Sequence, residues 1–148
     1  MTKTPMTTSS RRILLVEDNK GDALLAKMAL QEVANDVIMD VVEDGAAALR
    51  FLDSCLESED LPDLILLDLN LPKLSGHEVL GHIKNHEYLR LIPVLMLTTS
   101  QAEDDIIGSY SRYVNGYVAK PVDMDEFIAV MNAVCLFWFQ TATLPMSR

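Results

Sequence analysis

Short, mostly apolar runs punctuate this chain, and each stops abruptly at a polar or charged residue. Ile13-Leu14-Leu15-Val16 ends in Glu17-Asp18, and Leu64-Ile65-Leu66-Leu67 ends in Asp68. Val94-Leu95-Met96-Leu97 ends in Thr98, and Gly116-Tyr117-Val118-Ala119 ends in Lys120-Pro121. Continuous runs of this length suit strands that are covered on both faces. Residues 37–43 suit a further, more polar strand. The stretches between have helical spacing, with Leu24, Leu25, Met28, Ala29 and Val33 apolar in 20–33, and Ala46, Leu49, Phe51 and Leu52 in 45–56. Shorter helices are expected over 77–86 and 103–113, and a last one from about residue 123 to 140.

Five βα units in succession, with no internal repeat, imply a parallel sheet with helices on both faces. Right-handed crossovers leave few topologies. The expected fold class is α/β, a flavodoxin-like (βα)5 doubly wound sheet with strand order 2-1-3-4-5. The 148 residues suit one domain over 11–140. Residues 1–10, rich in Thr and Ser, are expected to be disordered, and 141–148 form a short C-terminal extension. No effector domain fits after residue 140, so output is expected to be a protein contact.

Lys and Arg number 12 against 22 Asp and Glu, a net charge of −10. Nucleic acid and anionic membrane surfaces are therefore disfavoured as partners. No run approaches the length of a membrane span, and the N-terminus lacks a signal-peptide core, so a cytoplasmic location is expected. Cys55 and Cys135 fall in apolar helical patterns and read as reduced, packed thiols, with a single long-range disulfide as the less favoured alternative.

In open α/β sheets, sites form beyond the carboxyl ends of the strands. Glu17, Asp18 and Asp68 would meet there with Thr98 and Lys120. Three carboxylates so close stay ionised together only around a cation, and hard oxygen ligands with solvent access suit Mg²⁺. Such a set is built for phosphoryl transfer. Asp68 would be the nucleophile, Mg²⁺ and Lys120 would neutralise the transferring group, and Thr98 would hydrogen-bond a phosphoryl oxygen. A blander role for Glu17-Asp18, or for Asn19, is capping the first helix. His82 and His86 have the i,i+4 spacing of a zinc pair, but no third ligand stands near, and a solvated helix face explains them better. No Gly-rich loop followed by Lys-Ser/Thr is present, so nucleotide binding is not expected.

The segments ILLVEDN, PDLILLDLNLP, GHEVL, PVLMLTTS and NGYVAKP together resemble response-regulator receiver domains of two-component signalling. The resemblance implies a phosphoacceptor rather than an enzyme, taking phosphate from a sensor histidine kinase. It assigns Asp68 as phosphoacceptor and Lys120 as the phosphate-binding lysine. Glu17 and Asp18 match the acidic pair, although many members carry Asp at the first position. Asn70 would lend its backbone carbonyl to Mg²⁺. Thr98 matches the switch hydroxyl, Thr99 a position where small residues are preferred, and Tyr117 the switch aromatic. Lys120-Pro121 matches a bond that is frequently cis in the family. Phosphorylation would then repack the face of helix four, strand five and helix five.

In the last helix, Phe127, Ile128, Met131, Val134, Cys135 and Trp138 form one stripe, while Leu136 and Phe137 fall outside it. That excess apolar surface points to a contact surface, expected to be a homodimer through helices four and five, with a tail folded back on its own domain as the alternative. EDNKGDALLAKMALQE and FWFQTATLP are similar to the small stand-alone response regulators of bacterial and cyanobacterial phytochromes, which implies a phytochrome-type kinase as partner. Two alternatives are a pseudo-receiver that binds partners without phosphorylation, and a flavodoxin-like electron carrier. The acidic VEDNKGD loop would repel a flavin phosphate, which argues against the carrier.

Overall fold

The computed structural model describes residues 10–145. Residues 1–9, which carry most of the expected disordered segment, and 146–148 of the extension lie outside the described residues. Five strands, β1 (Arg12–Val16), β2 (Ile38–Val42), β3 (Leu64–Leu67), β4 (Val94–Thr98) and β5 (Gly116–Ala119), form one parallel sheet in the order 2-1-3-4-5. The helices are α1 (Lys20–Val33), α2 (Gly45–Ser58), α3 (Gly76–Lys84), α4 (Glu103–Ser111) and α5 (Met124–Leu136). The flavodoxin-like topology is therefore as the alternating pattern implied.

Alternation within each apolar run explains how a strand feeds two cores. Ile13, Leu15, Leu64, Leu66, Leu95 and Leu97 face one layer, where Phe127 and Met131 of α5 and Ala26, Ala29 and Leu30 of α1 close over them. Leu14, Val16, Ile65, Leu67, Val94 and Met96 face the other, under Leu52 of α2 and Val79, Leu80 and Ile83 of α3. α4 is different. Among its residues only Ser109 is buried, and Ile107 and Tyr110 are exposed.

Local chemistry sets the helix starts. Asn19, Asp44, Ser75 and Asp123 each accept a backbone N–H of the first turn, and Ser75 with Glu78 forms a reciprocal capping box. Asn19 thus takes the capping role at α1, which leaves Glu17 and Asp18 free of it.

Several boundaries differ from the expected ones. α3 ends at Lys84, and a 3-10 turn follows at Leu89–Leu91. There His86 accepts the N–H groups of Tyr88 and Leu89 on Nδ1, so it caps the turn instead of extending the helix toward His82. The long last helix gives way after Leu136 to a π-helical turn, Phe137–Thr141, where Phe137 and Trp138 pack edge to face. No peptide bond among the described residues is cis, so Lys120-Pro121 is trans. The trans form is the intrinsically favoured one for X–Pro bonds, and the Lys120 N–H continues the β4–β5 ladder by donating to the Thr98 carbonyl at 2.8 Å.

Phe127, 1% exposed, is the largest side chain in the α5 layer with no access to solvent. Phe127→Ala is expected to cost about 3–5 kcal/mol of stability, read from urea unfolding monitored by circular dichroism.

Candidate functional site

The carboxyl edge of the sheet brings together side chains far apart in sequence. β1 pairs with β3 so that Val16 lies beside Leu67, and the residues that follow each strand, Glu17 and Asp68, emerge side by side. Carboxylate oxygens of Glu17, Asp18 and Asp68 all lie within 4.8 Å of one another. Glu17 and Asp68 are buried, whereas Asp18 is exposed. Among the described residues this is the one group of three or more potential metal-ligating side chains. His82 and His86 are not part of such a group.

Lys120 extends from the end of β5 into this cluster, and its side chain is only 8% exposed. Its Nζ lies 2.9 Å from Glu17 Oε1, 3.2 Å from Asp68 Oδ2 and 3.1 Å from Asp22 Oδ2. Two backbone N–H groups complete the cradle. Asn19 donates to Glu17 Oε2 at 3.2 Å, and Asn70 donates to Asp68 Oδ1 at 3.3 Å. Asn70 itself is exposed in the loop after β3.

Burial dominates the electrostatics of Glu17. Desolvation raises its pKa from 4.5 to about 7, against the lowering effect of the Lys120 hydrogen bond, and the neighbouring Asp68 charge adds to the rise. Burial alone would lower the Lys120 pKa, but Glu17, Asp68 and Asp22 outweigh it, and the ammonium is held more firmly charged than usual. The donor set fits a hard divalent cation. Octahedral Mg²⁺ at about 2.0–2.1 Å from each oxygen spaces its ligands roughly 3–4 Å apart, so only a small closure of the three carboxylates is required.

Thr98 and Tyr117 lie outside this hydrogen-bonded cluster. Thr98 is fully buried at the end of β4, and its hydroxyl accepts the Ser100 N–H at 3.3 Å. Tyr117, half-buried in β5, donates its hydroxyl to the Ser100 carbonyl at 3.0 Å. Ser100 also donates from Oγ to Asp105 Oδ2 at 2.6 Å, which joins the β4–α4 loop to the first turn of α4. Thr99 is exposed beside this junction. Leu136 and Phe137, 45% and 51% exposed, stand at the far end of α5, about 20 Å along its axis from the site.

Three contributors were not singled out for the site from sequence. Asp22 reads as an ordinary acid in a helix's first turn. Ser100 reads as a loop residue. Gly76 opens α3 against the backbone that follows β3, where an added Cβ would come within 2.7 Å of Leu69 Cα and closer still to the Asp68 carbonyl oxygen. Only a residue without a side chain lets α3 approach the Asp68 strand end this closely.

The sign of the Glu17 shift gives a test. A carboxyl whose folded pKa is raised contributes stability that is fully present below its unfolded value near 4.5 and is lost as pH rises through about 7. In chelator-treated protein, Glu17→Gln is therefore expected to gain on wild type by up to about 3 kcal/mol between pH 4 and pH 8, measured by urea unfolding.

Comparison with known proteins agrees with this geometry. The family model described as "Response regulator receiver domain" matches residues 13–132. Response regulator Rcp1 of Synechocystis sp. is 44% identical over 135 residues, covering 90% of this chain and 92% of that protein. The phosphorylated cyanobacterial phytochrome response regulator RcpA is 42% identical with a TM-score of 0.85, covering 92% of this chain and 99% of that one. The Mn²⁺-bound form of response regulator Rcp1 is 43% identical with a TM-score of 0.82 over the same shares of the two chains. The proteins to which this chain is similar thus include ones solved in phosphorylated and Mn²⁺-bound forms, and its own strand ends carry the acidic group Glu17, Asp18 and Asp68. The chain belongs to the response-regulator receiver domain family, and within it resembles the phytochrome response regulators.

Proposed function

We propose that this chain acts as a stand-alone response regulator that takes a phosphoryl group from a phosphohistidine of a sensor kinase onto Asp68. The observation that carries this reading is the setting of the Asp68 carboxylate. It is 5% exposed, adjoins the Glu17 and Asp18 oxygens, and lies 3.2 Å from the Lys120 ammonium. An Asp68 oxygen would attack phosphorus as the P–N bond to the imidazole breaks, with the leaving imidazole taking up a proton. Lys120 holds positive charge where negative charge gathers on the transferring oxygens. Glu17, Asp18 and Asp68, with the Asn70 backbone carbonyl, would hold Mg²⁺, which when bound neutralises the phosphoryl oxygens. The similarity to RcpA and Rcp1 supports a phytochrome-type kinase as donor. No helix among the described residues is long and apolar enough to cross a membrane.

The switch would use the residues that meet at Ser100. An Asp68 phosphoryl group adds roughly two negative charges and strong acceptors. Thr98 would leave the Ser100 N–H for a phosphoryl oxygen, and Tyr117 would release the Ser100 carbonyl and turn inward. Both movements free the loop that leads into α4, so the face of α4, β5 and α5 is repositioned for a protein partner. Leu136 and Phe137 would supply apolar contact for a homodimer through α4 and α5.

Two measurements test the proposal. With acetyl phosphate and Mg²⁺, intact-mass analysis is expected to show a gain of one phosphoryl group that is abolished in Asp68→Asn and by excess EDTA. A chain that gains none, or a gain that survives Asp68→Asn, would instead mark a phosphorylation-independent interaction module. For the dimer, sedimentation velocity at low micromolar concentration is expected to show a two-chain species that Leu136→Glu with Phe137→Glu dissociates. A strict monomer, with and without beryllofluoride, would rule the interface out.

A further inference from the structure

Lys120 makes one contact that the acidic triad does not account for. An ammonium has three N–H donors, and three carboxylates surround this one, those of Glu17, Asp68 and Asp22. Glu17 and Asp68 belong to the oxygen cluster that would hold a divalent ion, and Asp22 does not. A cation seated on Glu17 and Asp68 takes their lone pairs and repels the ammonium that had shared them. The Asp22 carboxylate is then the remaining anionic anchor for Lys120.

We propose that Asp22 is a positioning residue for phosphoryl transfer, holding the Lys120 ammonium beside Asp68 when the Glu17 and Asp68 carboxylates are committed to the divalent ion. The inference rests on the assignment of Asp68 as phosphoacceptor. Asp22 is well suited to the task because it is fixed at both ends. Its N–H donates to Asn19 Oδ1 at 2.8 Å, in the cap of α1, and the packing of Ala23 and Ala26 against the sheet sets the height of that helix turn.

Two effects of Asp22 oppose each other. Its negative charge disfavours an incoming phosphoryl group, while its contact restrains the lysine that must meet that group. The side chain is 31% exposed, so water screens its longer-range repulsion, whereas the 3.1 Å contact reaches an ammonium that is 8% exposed. The contact is screened least, and restraint outweighs repulsion.

The test uses purified full-length chain with acetyl phosphate. Asp22→Ala is expected to slow Mg²⁺-dependent phosphorylation about tenfold, the range lost with one charge-assisted hydrogen bond. Asp22→Asn, which keeps an acceptor at the same reach, is expected to stay within about threefold of wild type. Affinity for Mn²⁺, followed by the free-ion paramagnetic resonance signal, is expected to change less than about twofold in both, because Asp22 is not in the triad. In a Lys120→Met background, Asp22→Ala is expected to have no further effect on the rate, since the two residues act as one unit. Asp22→Ser, which suits a first helical turn but falls short of Nζ, replaces the Ala variant should that one fail to fold. Wild-type rates in the Ala or Ser variant, or equal slowing with and without Lys120, would overturn the role of Asp22. A wild-type chain that takes up no phosphoryl group would overturn the phosphoacceptor assignment itself, a result distinguishable because it does not involve residue 22.

Discussion

Like charges gathered in a dry place repel, and this protein gathers them at the meeting point of its central strands. Glu17 and Asp68 are buried side by side, with Asp18 and Asp22 at the rim. The Lys120 ammonium makes that tolerable. It crosses from the edge strand β5 to the centre of the sheet and shares its three protons among three carboxylates. Removing one partner of a buried charge set leaves the others unpaired, at a cost of several kcal/mol. Strand order therefore has a chemical purpose. With β1 and β3 adjacent and β5 two strands away, one flexible lysine spans the gap that the carboxylates could not close by themselves.

Glu17 illustrates how the cluster is tuned. Its pKa of about 7 reflects burial that the Lys120 contact only partly offsets. Because metal ligands must be deprotonated, any metal binding through this carboxyl would be coupled to release of its proton. The longer Glu arm, where many receivers have Asp, reaches both Lys120 and the Asn19 N–H.

Much of this was legible in the residues themselves. The runs at 13–16, 64–67 and 94–97 announced central strands because they are apolar at every position, and the polar residue after each marked the functional edge. Those residues then resembled one family in all five segments. What stayed hidden depended on three-dimensional proximity. Asp22 meets a residue 98 positions away, and no local pattern encodes that. Gly76 is required by the Asp68 and Leu69 backbone beneath it, which only the folded chain reveals. At the end of α5 the expected helix to about residue 140 continues, but beyond Leu136 its backbone widens into a π turn that no apolar spacing announces. The family resemblance suggests a cis bond at Pro121, whereas the Lys120–Pro121 bond is trans.

The thin attachment of α4 has a thermodynamic meaning of its own. Ser109 alone is buried in it, and His77 Nε2 reaches the Ser109 hydroxyl at 3.0 Å and the Asp105 carbonyl oxygen at 3.3 Å. Polar links of this kind trade one for one with water when broken, whereas prising away a helix seated on leucines would expose oily area and open a void. A shift of α4 along the domain would therefore leave the two hydrophobic layers undisturbed. A change of that outward face would then draw on polar contacts rather than on the packing that keeps the chain folded.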